Sequence, residues 1–324
     1  MAGVRTRRRQ AALRLARRAK HPFDVPWAAW RIIIRRTLAQ MITDRITMVA
    51  AGCAFYATLA LFPAISMMLF IYGMAFDPMT VEPQLQILKA LLPGPGMALI
   101  DARVRQLVSH PPGQLTIGLL ISLAITLWSA MTGTKSVLSA VNMAYGELEQ
   151  RSFLRYQLVA FAITMCALIG AALAVATLVF LPVAFARLGL PESARGLIRS
   201  FSLLLLVGFV LVSLSLLFRF GPSRNRARWA WITPGSVVAT LLWLAASWLF
   251  TWYVGAVASY DALYGPLGAV VAVMMWFYVT TFAVLLGAEL NAQLELHTAR
   301  DTTDGPPRPP GAHGAFVADH VARD

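Results

Sequence analysis

The chain has 324 residues, of which 58% are hydrophobic and only 13% are charged, and its mean hydropathy is +0.65. Ordinary globular proteins contain about 45–50% apolar and about 25% charged residues. A water-soluble domain of this size could not cover its surface with so few charges. The composition therefore excludes a secreted disulfide scaffold, a disordered chain and an ordinary cytosolic enzyme, and it predicts a membrane protein.

Residues 1–26 form a basic tail, predicted to be cytoplasmic and to bind anionic lipid headgroups. Each Lys or Arg near such a surface contributes on the order of 1 kcal/mol. A nucleic-acid-binding tail would also be basic, but this one has no interleaved aromatic residues and no folded module beside it, so we expect no specific nucleic-acid partner. After it, Trp27, Trp30 and Met41 recur at helical spacing and predict an N-terminal amphipathic helix. Such a helix lies at the membrane interface or packs under the bundle, and both interpretations remain open.

Six windows without Asp, Glu, Lys or Arg follow along the chain. Crossing the ~30 Å hydrocarbon core takes about 20 helical residues, and every window is long enough. Barrel strands would instead be short, alternating segments of about 10 residues. Residues 27–297 are therefore predicted to be an all-α, polytopic domain of six transmembrane helices, near 46–73, 116–140, 158–185, 200–219, 234–256 and 266–290.

The basic residues predict the orientation of these helices. Segments on the N-terminal side of the membrane carry 22 Lys and Arg residues, against 6 on the opposite side. Since basic segments stay in the cytoplasm, both termini are predicted to be cytoplasmic. The largest external segment, 74–115, predicts a helical hairpin that is either a lid or a packed connector. The tail 298–324, with GPPRPPGAHG, is predicted to be disordered.

Several residues are candidates for helix packing or bending. Small residues four apart let helix backbones approach closely, although ordinary bundle packing explains each pair alone. A proline inside a helix removes a backbone hydrogen bond and bends it. The candidates for packing or kinking are Gly52, Tyr56, Pro63, Tyr264, Gly265, Gly268 and Gly287.

Polar residues inside an apolar bundle are the default candidates for function. Thr132, Lys135, Ser139 and Asn142 are spaced three, four and three residues apart, which places them on one helix face. That face lines a polar cleft, or Lys135 simply extends to the headgroups. No enzyme-like signal accompanies it: the five histidines are scattered and no metalloprotease, hydrolase or nucleotide-binding motif occurs. We therefore predict no catalytic site, metal or cofactor.

Glu289 ends the last charge-free window, with Asn291 two residues further on. It either marks the boundary of the sixth helix or lies inside the membrane and needs a partner. Lys135 has a similar predicted depth, so a Lys135–Glu289 pair is a hypothesis. Together with Tyr145, these residues form the candidate polar cleft.

Three segments resemble the BrkB/YihY family of bacterial inner-membrane proteins, once labelled ribonuclease BN. They are DRITMVAAGCAFYATLALFPAI, WSAMTGTKSVLSAVNMAYGELEQRSFLRYQL and SYDALYGPLGAVVAVMMWFYVTTFAVLLGAELNAQLE. The resemblance spans residues about 27–297, and Pro266 departs from the small polar residue that is more usual there. It implies six helices with both ends cytoplasmic in the bacterial inner membrane. The family's names refer to serum resistance, and its suggested roles centre on moving envelope lipids or solutes.

The leading functional hypothesis is a transporter or flippase-like facilitator of an envelope lipid or small solute. The alternative is a non-catalytic membrane scaffold or envelope-integrity factor, in which the polar face holds helices together. Ribonuclease activity is disfavoured because no acidic cluster could hold Mg²⁺. Membrane lipids are the expected partners, and a homo-oligomer is a further hypothesis.

Overall fold

A computed structural model describes residues 11, 13–75, 117–175, 192–256, 268–306, 308–309 and 311–322. This part of the chain is helical and contains no strand, only an isolated bridge between Ala227 and Thr303. The predicted all-α class is therefore confirmed. Almost all of the predicted external hairpin falls outside the described residues, and so do Tyr264 and Gly265.

A 3-10 helix at Pro22–Asp24 is followed along the described ranges by seven long α-helices and one short one. Arg45, with a left-handed φ of 51°, separates the first two α-helices. The helices are α1 (Trp27–Thr43), α2 (Ile46–Ala75), α3 (Ile117–Ala144), α4 (Phe153–Val175), α5 (Glu192–Phe220), α6 (Trp229–Ala256), α7 (Gly268–Leu296) and α8 (Phe316–Asp319).

Four of these helices are long and apolar enough to cross a membrane. The spans are Phe153–Ala174, Ser200–Phe220, Trp229–Tyr253 and Val270–Leu296, in α4 to α7. Helices α2 and α3 coincide with the first two predicted spans, and α2 begins with the apolar stretch Ile46–Leu61. The chain is thus a membrane protein with several apolar helices, while the count of six and the orientation remain predictions.

Large apolar side chains cover the outer faces of these helices. Leu204 and Trp248 are 70% and 73% exposed, and Ile125 and Leu241 are similarly accessible. So much exposed apolar surface is unusual for a soluble protein. Lipid hydrocarbon can cover this apolar surface. It offers no hydrogen bonds, but the helices do not need them because they satisfy their own backbone groups.

Helix α7 is the hub of the bundle. It packs against α1, α2, α3 and α6, while α5 packs against α4 and α6. The core around α7 contains the fully buried side chains of Tyr145, Phe218, Ile232 and Leu285. Helix α1 buries Ala29 and Ile33 in a second cluster with α7 but leaves Trp27 and Ile42 exposed, so neither interpretation of the amphipathic helix is eliminated.

The closest approach between α6 and α7 occurs at two glycines. A Cβ atom added to Gly287 would lie 2.6 Å from the carbonyl oxygen of Gly235 and 2.7 Å from the Cβ of Ala239. Only glycine fits such a contact. Gly52 differs, since a Cβ there would meet nothing within 4 Å, and its neighbour Tyr56 is also exposed. Pro63 lies inside α2 and Gly268 begins α7.

The tail after residue 298 differs from the expectation of disorder. Thr302, His313 and Val317 are buried, and α8 forms near the end. The Asp319 carboxylate organises this segment by accepting hydrogen bonds from the backbone N–H groups of Gly311, His313 and Gly314. The glycines that suggested disorder instead supply turns, since Gly305, Gly311 and Gly314 all have positive φ.

Candidate functional site

Three segments meet at one end of the bundle, which we call the basic end because each of them carries arginine: residues 145–152, 221–228 and 297–322. The backbone N–H of Gln150 donates to Ser223 Oγ at 3.0 Å, and that of Asn225 donates to the carbonyl of Gly314 at 2.9 Å. The backbone N–H of Phe316 donates to Glu147 Oε1 at 2.6 Å. The segments that the charge count assigns to one side therefore lie together, and the side they face remains a prediction.

Asn142, a predicted cleft residue, joins two of these segments. Its side-chain oxygen accepts from the backbone N–H of Ser223 at 2.7 Å, and its Nδ2 donates to Glu149 at 3.0 Å. Glu149 also accepts from Arg151 at 2.7 Å. Although partial burial acts in the opposite direction, these hydrogen bonds lower the pKa of Glu149 to about 2. Asn142 therefore holds the end of α3 against the loop between α5 and α6.

A fully buried ion pair lies at the centre of the basic end. Arg224 binds Glu295 through two hydrogen bonds of 3.0 and 2.8 Å, and both side chains are 0% exposed. Thr302 donates to the same carboxylate at 2.7 Å. Although burial disfavours its charge, the carboxylate of Glu295 holds the pKa of Arg224 above its ordinary range. The pair links the α5–α6 loop, α7 and the tail.

Tyr145, another predicted cleft residue, forms one wall of this ion pair. The Arg224 guanidinium carbon lies 4.3 Å from the centre of its ring, a distance typical of a cation–π interaction. Tyr145 is fully buried, and burial raises the pKa of its hydroxyl far above the usual value. The phenol thus stays neutral and acts as a desolvated platform for the charge.

Asn291 bridges α7 to α6 beside a proline. Pro234 lies inside α6 and has no N–H to donate within the helix. Next to it, Asn291 accepts from the backbone N–H of Gly235 at 2.7 Å and donates to the carbonyl of Ile232 at 3.0 Å. A single buried amide therefore binds two backbone groups next to the proline.

Glu289 lies inside the bundle without a donor. Its side chain is 0% exposed, and neither carboxylate oxygen has a hydrogen-bond partner among the described residues. The charged group that acts on it is Asp44, at the end of α1. Asp44 itself accepts two hydrogen bonds of 3.0 Å from Gln40. Two carboxylates can bond to each other only through a shared proton or cation.

The remaining predicted cleft residues lie elsewhere. Lys135 places its Nζ 4.3 Å from the centre of the Trp128 ring, and among the described residues it forms no ion pair with Glu289. Thr132 and Ser139 are exposed, and Thr132 donates within its own helix. The predicted polar face of α3 therefore divides, because Asn142 and Tyr145 turn into the basic end while the residues before them face outward.

Arg224, Glu295 and Asp44 were not identified from the sequence. Arg224 lies in a loop whose basic residues were explained by the predicted membrane orientation, and Glu295 lies beyond the predicted end of the last span. The available signal was the rarity of acids: from residue 262 to residue 300 the chain contains only Glu289 and Glu295. A carboxylate on the buried face of an apolar helix needs a cation or a proton as its partner. For Glu295 that cation is Arg224.

No group of three His, Cys, Asp or Glu residues close enough to hold a metal ion occurs in the part of the chain that the structure describes. Long apolar helices around a buried polar end define an integral, multi-pass membrane protein with no evident catalytic apparatus. The chain belongs to the virulence factor BrkB family, whose model matches residues 37–312.

The curated relatives agree with this family. The chain is 28% identical over 255 residues to the putative ribonuclease-like protein YfkH of Bacillus subtilis, covering 76% of this chain and 88% of that protein. It is 27% identical over 266 residues to the UPF0761 membrane protein Smlt0865 of Stenotrophomonas maltophilia, covering 79% and 59%. A UPF0761 membrane protein of Alkalilimnicola ehrlichii is 28% identical over 252 residues, covering 76% and 54%. No solved structure matches the chain.

Proposed function

We propose that this protein moves an envelope lipid or a small solute across the membrane, as a transporter or flippase-like facilitator. The observation that carries the proposal is Glu289, a fully buried carboxyl to which no described residue donates a hydrogen bond. An ionisable group in a membrane helix is costly, so its presence favours a role in an ion or substrate pathway. A purely structural carboxyl would be expected to have its partners, as Glu295 does.

Asp44 allows the Glu289 carboxyl to alternate between repulsion and attraction, depending on whether a proton or a cation is bound. The two groups repel when both are ionised and attract when they share a proton or bind a cation. Asp44 belongs to the junction between α1 and α2, whereas Glu289 belongs to the hub helix α7. Binding and release at this pair would therefore alter the attraction between two elements of the bundle. Coupling of this kind is what a gradient-driven carrier requires.

The test is translocation by the purified protein in proteoliposomes, with fluorescent phospholipids and a panel of small solutes. Glu289→Gln keeps the size of the side chain but cannot ionise, and we expect at least a tenfold loss of rate, equivalent to about 1.4 kcal/mol. Ser139→Ala, on an exposed position of α3, is the matched control and should keep the wild-type rate. Lys135→Ala tests whether the outward face of α3 contributes.

The outcomes separate the transporter from the scaffold. Movement that Glu289→Gln abolishes, with the variant still folded, supports transport through this site. Movement that survives in Glu289→Gln removes Glu289 from the pathway. No movement of any lipid or solute favours the scaffold.

We also infer that the basic end faces the cytoplasm of a bacterial inner membrane, with residues 1–26 on anionic headgroups. The 22 Lys and Arg residues on the N-terminal side of the predicted spans, against 6 on the opposite side, support this orientation. Single cysteines at Arg155 and Arg300, in a variant without Cys53 and Cys166, should react with a membrane-impermeant thiol reagent only in inverted vesicles. Cross-linking of the same vesicles would detect a homo-oligomer.

A further inference from the structure

A cavity of about 640 Å³ opens at the basic end, beside the first turn of α4 and the α5–α6 loop. Arginines dominate its wall, and Ser152, Ser223 and Asn225 supply additional polar groups. Its lining, as far as the structure describes it, contains no carboxylate. The five lining arginines are Arg151, Arg155, Arg219, Arg224 and Arg226.

The positive charge of this cavity is only partly neutralised. Three of its arginines have a carboxylate partner: Arg151 binds Glu149, Arg219 binds Asp304 and Arg224 binds Glu295. Arg155 and Arg226 form no ion pair with any described residue, and both are exposed. Arg226 instead lies 5.0 Å from the centre of the Phe220 ring. Two cations therefore remain available in one concave surface.

Two buried arginines of the same wall keep unused hydrogen-bond donors. The Arg219 side chain is 8% exposed and that of Arg224 is 0% exposed. Nε and Nη1 of Arg219 and Nε of Arg224 are buried and have no hydrogen-bond partner within the described part of the chain. A buried donor without an acceptor is destabilising, so an anion that reached these groups would relieve that penalty.

The first turn of α4 adds to the attraction for an anion. Ser152 immediately precedes this 23-residue helix and lines the cavity. The first N–H groups of a helix have no partner within it, and the helix dipole places partial positive charge there. Arginines, unused donors and a helix N-terminus thus meet at one opening, which is the combination that binds phosphate groups.

We propose that this cavity binds a phosphate-bearing anion through Arg155, Arg226 and Arg219. A phosphate group has several acceptor oxygens and up to two negative charges, which matches a wall of forked guanidinium groups better than a single carboxylate does. The phosphate belongs either to the headgroup of an anionic lipid or to a soluble phosphate compound. The site is separate from Glu289 and does not depend on transport activity.

Thermal unfolding of the full-length protein in a neutral detergent measures binding, because a ligand that binds the folded state raises the unfolding midpoint. The probes are sodium phosphate, against sodium chloride at equal ionic strength, and phosphatidylglycerol, against phosphatidylcholine. The test variant carries Arg155→Gln and Arg226→Gln together. Arg300→Gln, at an exposed arginine of the same end outside the cavity, is the matched control.

We expect the probe to raise the midpoint of the wild type and of Arg300→Gln. The double variant should need about 100-fold more probe for the same shift, because it loses two charged hydrogen-bonding groups. Restoring charge with Arg155→Lys and Arg226→Lys should recover part of the affinity. These changes are on the surface, so the unfolding midpoint without probe should stay near the wild-type value.

The two probes identify the source of the phosphate. A shift with phosphatidylglycerol alone assigns the cavity to a lipid headgroup, and a shift with inorganic phosphate assigns it to a soluble anion. Equal shifts in the wild type and the double variant would overturn the proposal, and so would the absence of any shift with either probe.

Discussion

Replacing Glu295 with glutamine tests how much the buried ion pair contributes to the free energy of unfolding. Glutamine has nearly the same volume, but one of its two terminal atoms donates instead of accepting. The carboxylate oxygens accept two bonds from Arg224 and one from Thr302, so at least one acceptor is lost. Arg224 then keeps its charge at 0% exposure without its hydrogen-bonded counter-charge. Removing one partner of such a pair costs about 3–5 kcal/mol.

Unfolding in mixed micelles by a denaturing detergent, followed by tryptophan fluorescence, measures this loss. The control is Asp304→Asn, which removes the carboxylate that binds Arg219 at 2.8 Å. That aspartate side chain is 58% exposed, so its pair should contribute only about 0.2–1 kcal/mol. Comparing the two variants isolates the effect of burial, since both change one carboxylate to its amide.

A loss for Glu295→Gln no larger than that for Asp304→Asn would refute this reasoning. The double variant Arg224→Met with Glu295→Leu provides a second check. Because it removes both charges together, it should be more stable than Glu295→Gln. If it is less stable, apolar contacts around Arg224 contribute more than its charge.

Three further predictions use the same unfolding measurement. Asn291→Leu leaves a buried backbone N–H without an acceptor and should cost about 1–3 kcal/mol. Gly287→Ala forces a methyl group onto the backbone of Gly235 and should cost about 1–3 kcal/mol, whereas Gly52→Ala in open space should cost nothing, and equal losses would contradict the close contact. Glu149 has a folded pKa of about 2, below its ordinary 4.5, so its contribution is complete above pH 4.5 and declines as pH falls towards 2. The stability difference between wild type and Glu149→Gln should shrink over that window, and a constant difference would contradict the shift.

The architecture could be predicted from sequence because it depends on composition over long windows. An apolar window of about 20 residues with few or no charges leaves few structures other than a membrane helix, and four helices of the described residues are long and apolar enough to span a membrane. Glu289 could also be recognised from the sequence as a candidate functional residue, since a carboxyl at the end of an apolar window needs either water or a partner. Its complete burial, however, depends on how α1 and α2 pack against α7.

The contacts at the basic end could not be predicted in the same way. Arg224 and Glu295 are 71 residues apart, and no local pattern specifies that a loop residue reaches the end of the last helix. The Lys135–Glu289 hypothesis uses only the predicted depth of the two residues. The direction of a side chain around the helix axis also matters, and it places Lys135 against the ring of Trp128. The turns of the tail could not be predicted for a different reason, since glycine and proline occur both in disordered segments and in tight turns. Asp319, which accepts the hydrogen bonds of those turns, distinguishes the two.

The position of Glu295 and Thr302 late in the chain has a consequence for the order in which the protein assembles. Synthesis delivers Arg224 and Gly235 well before α7, so their partners do not yet exist when they emerge. Until α7 is inserted, Arg224 must stay in water or headgroups, and the Gly235 N–H must find a temporary acceptor. Only Glu295 and Asn291 complete these groups. Insertion of the last helix is thus the step that commits the earlier helices to their final packing.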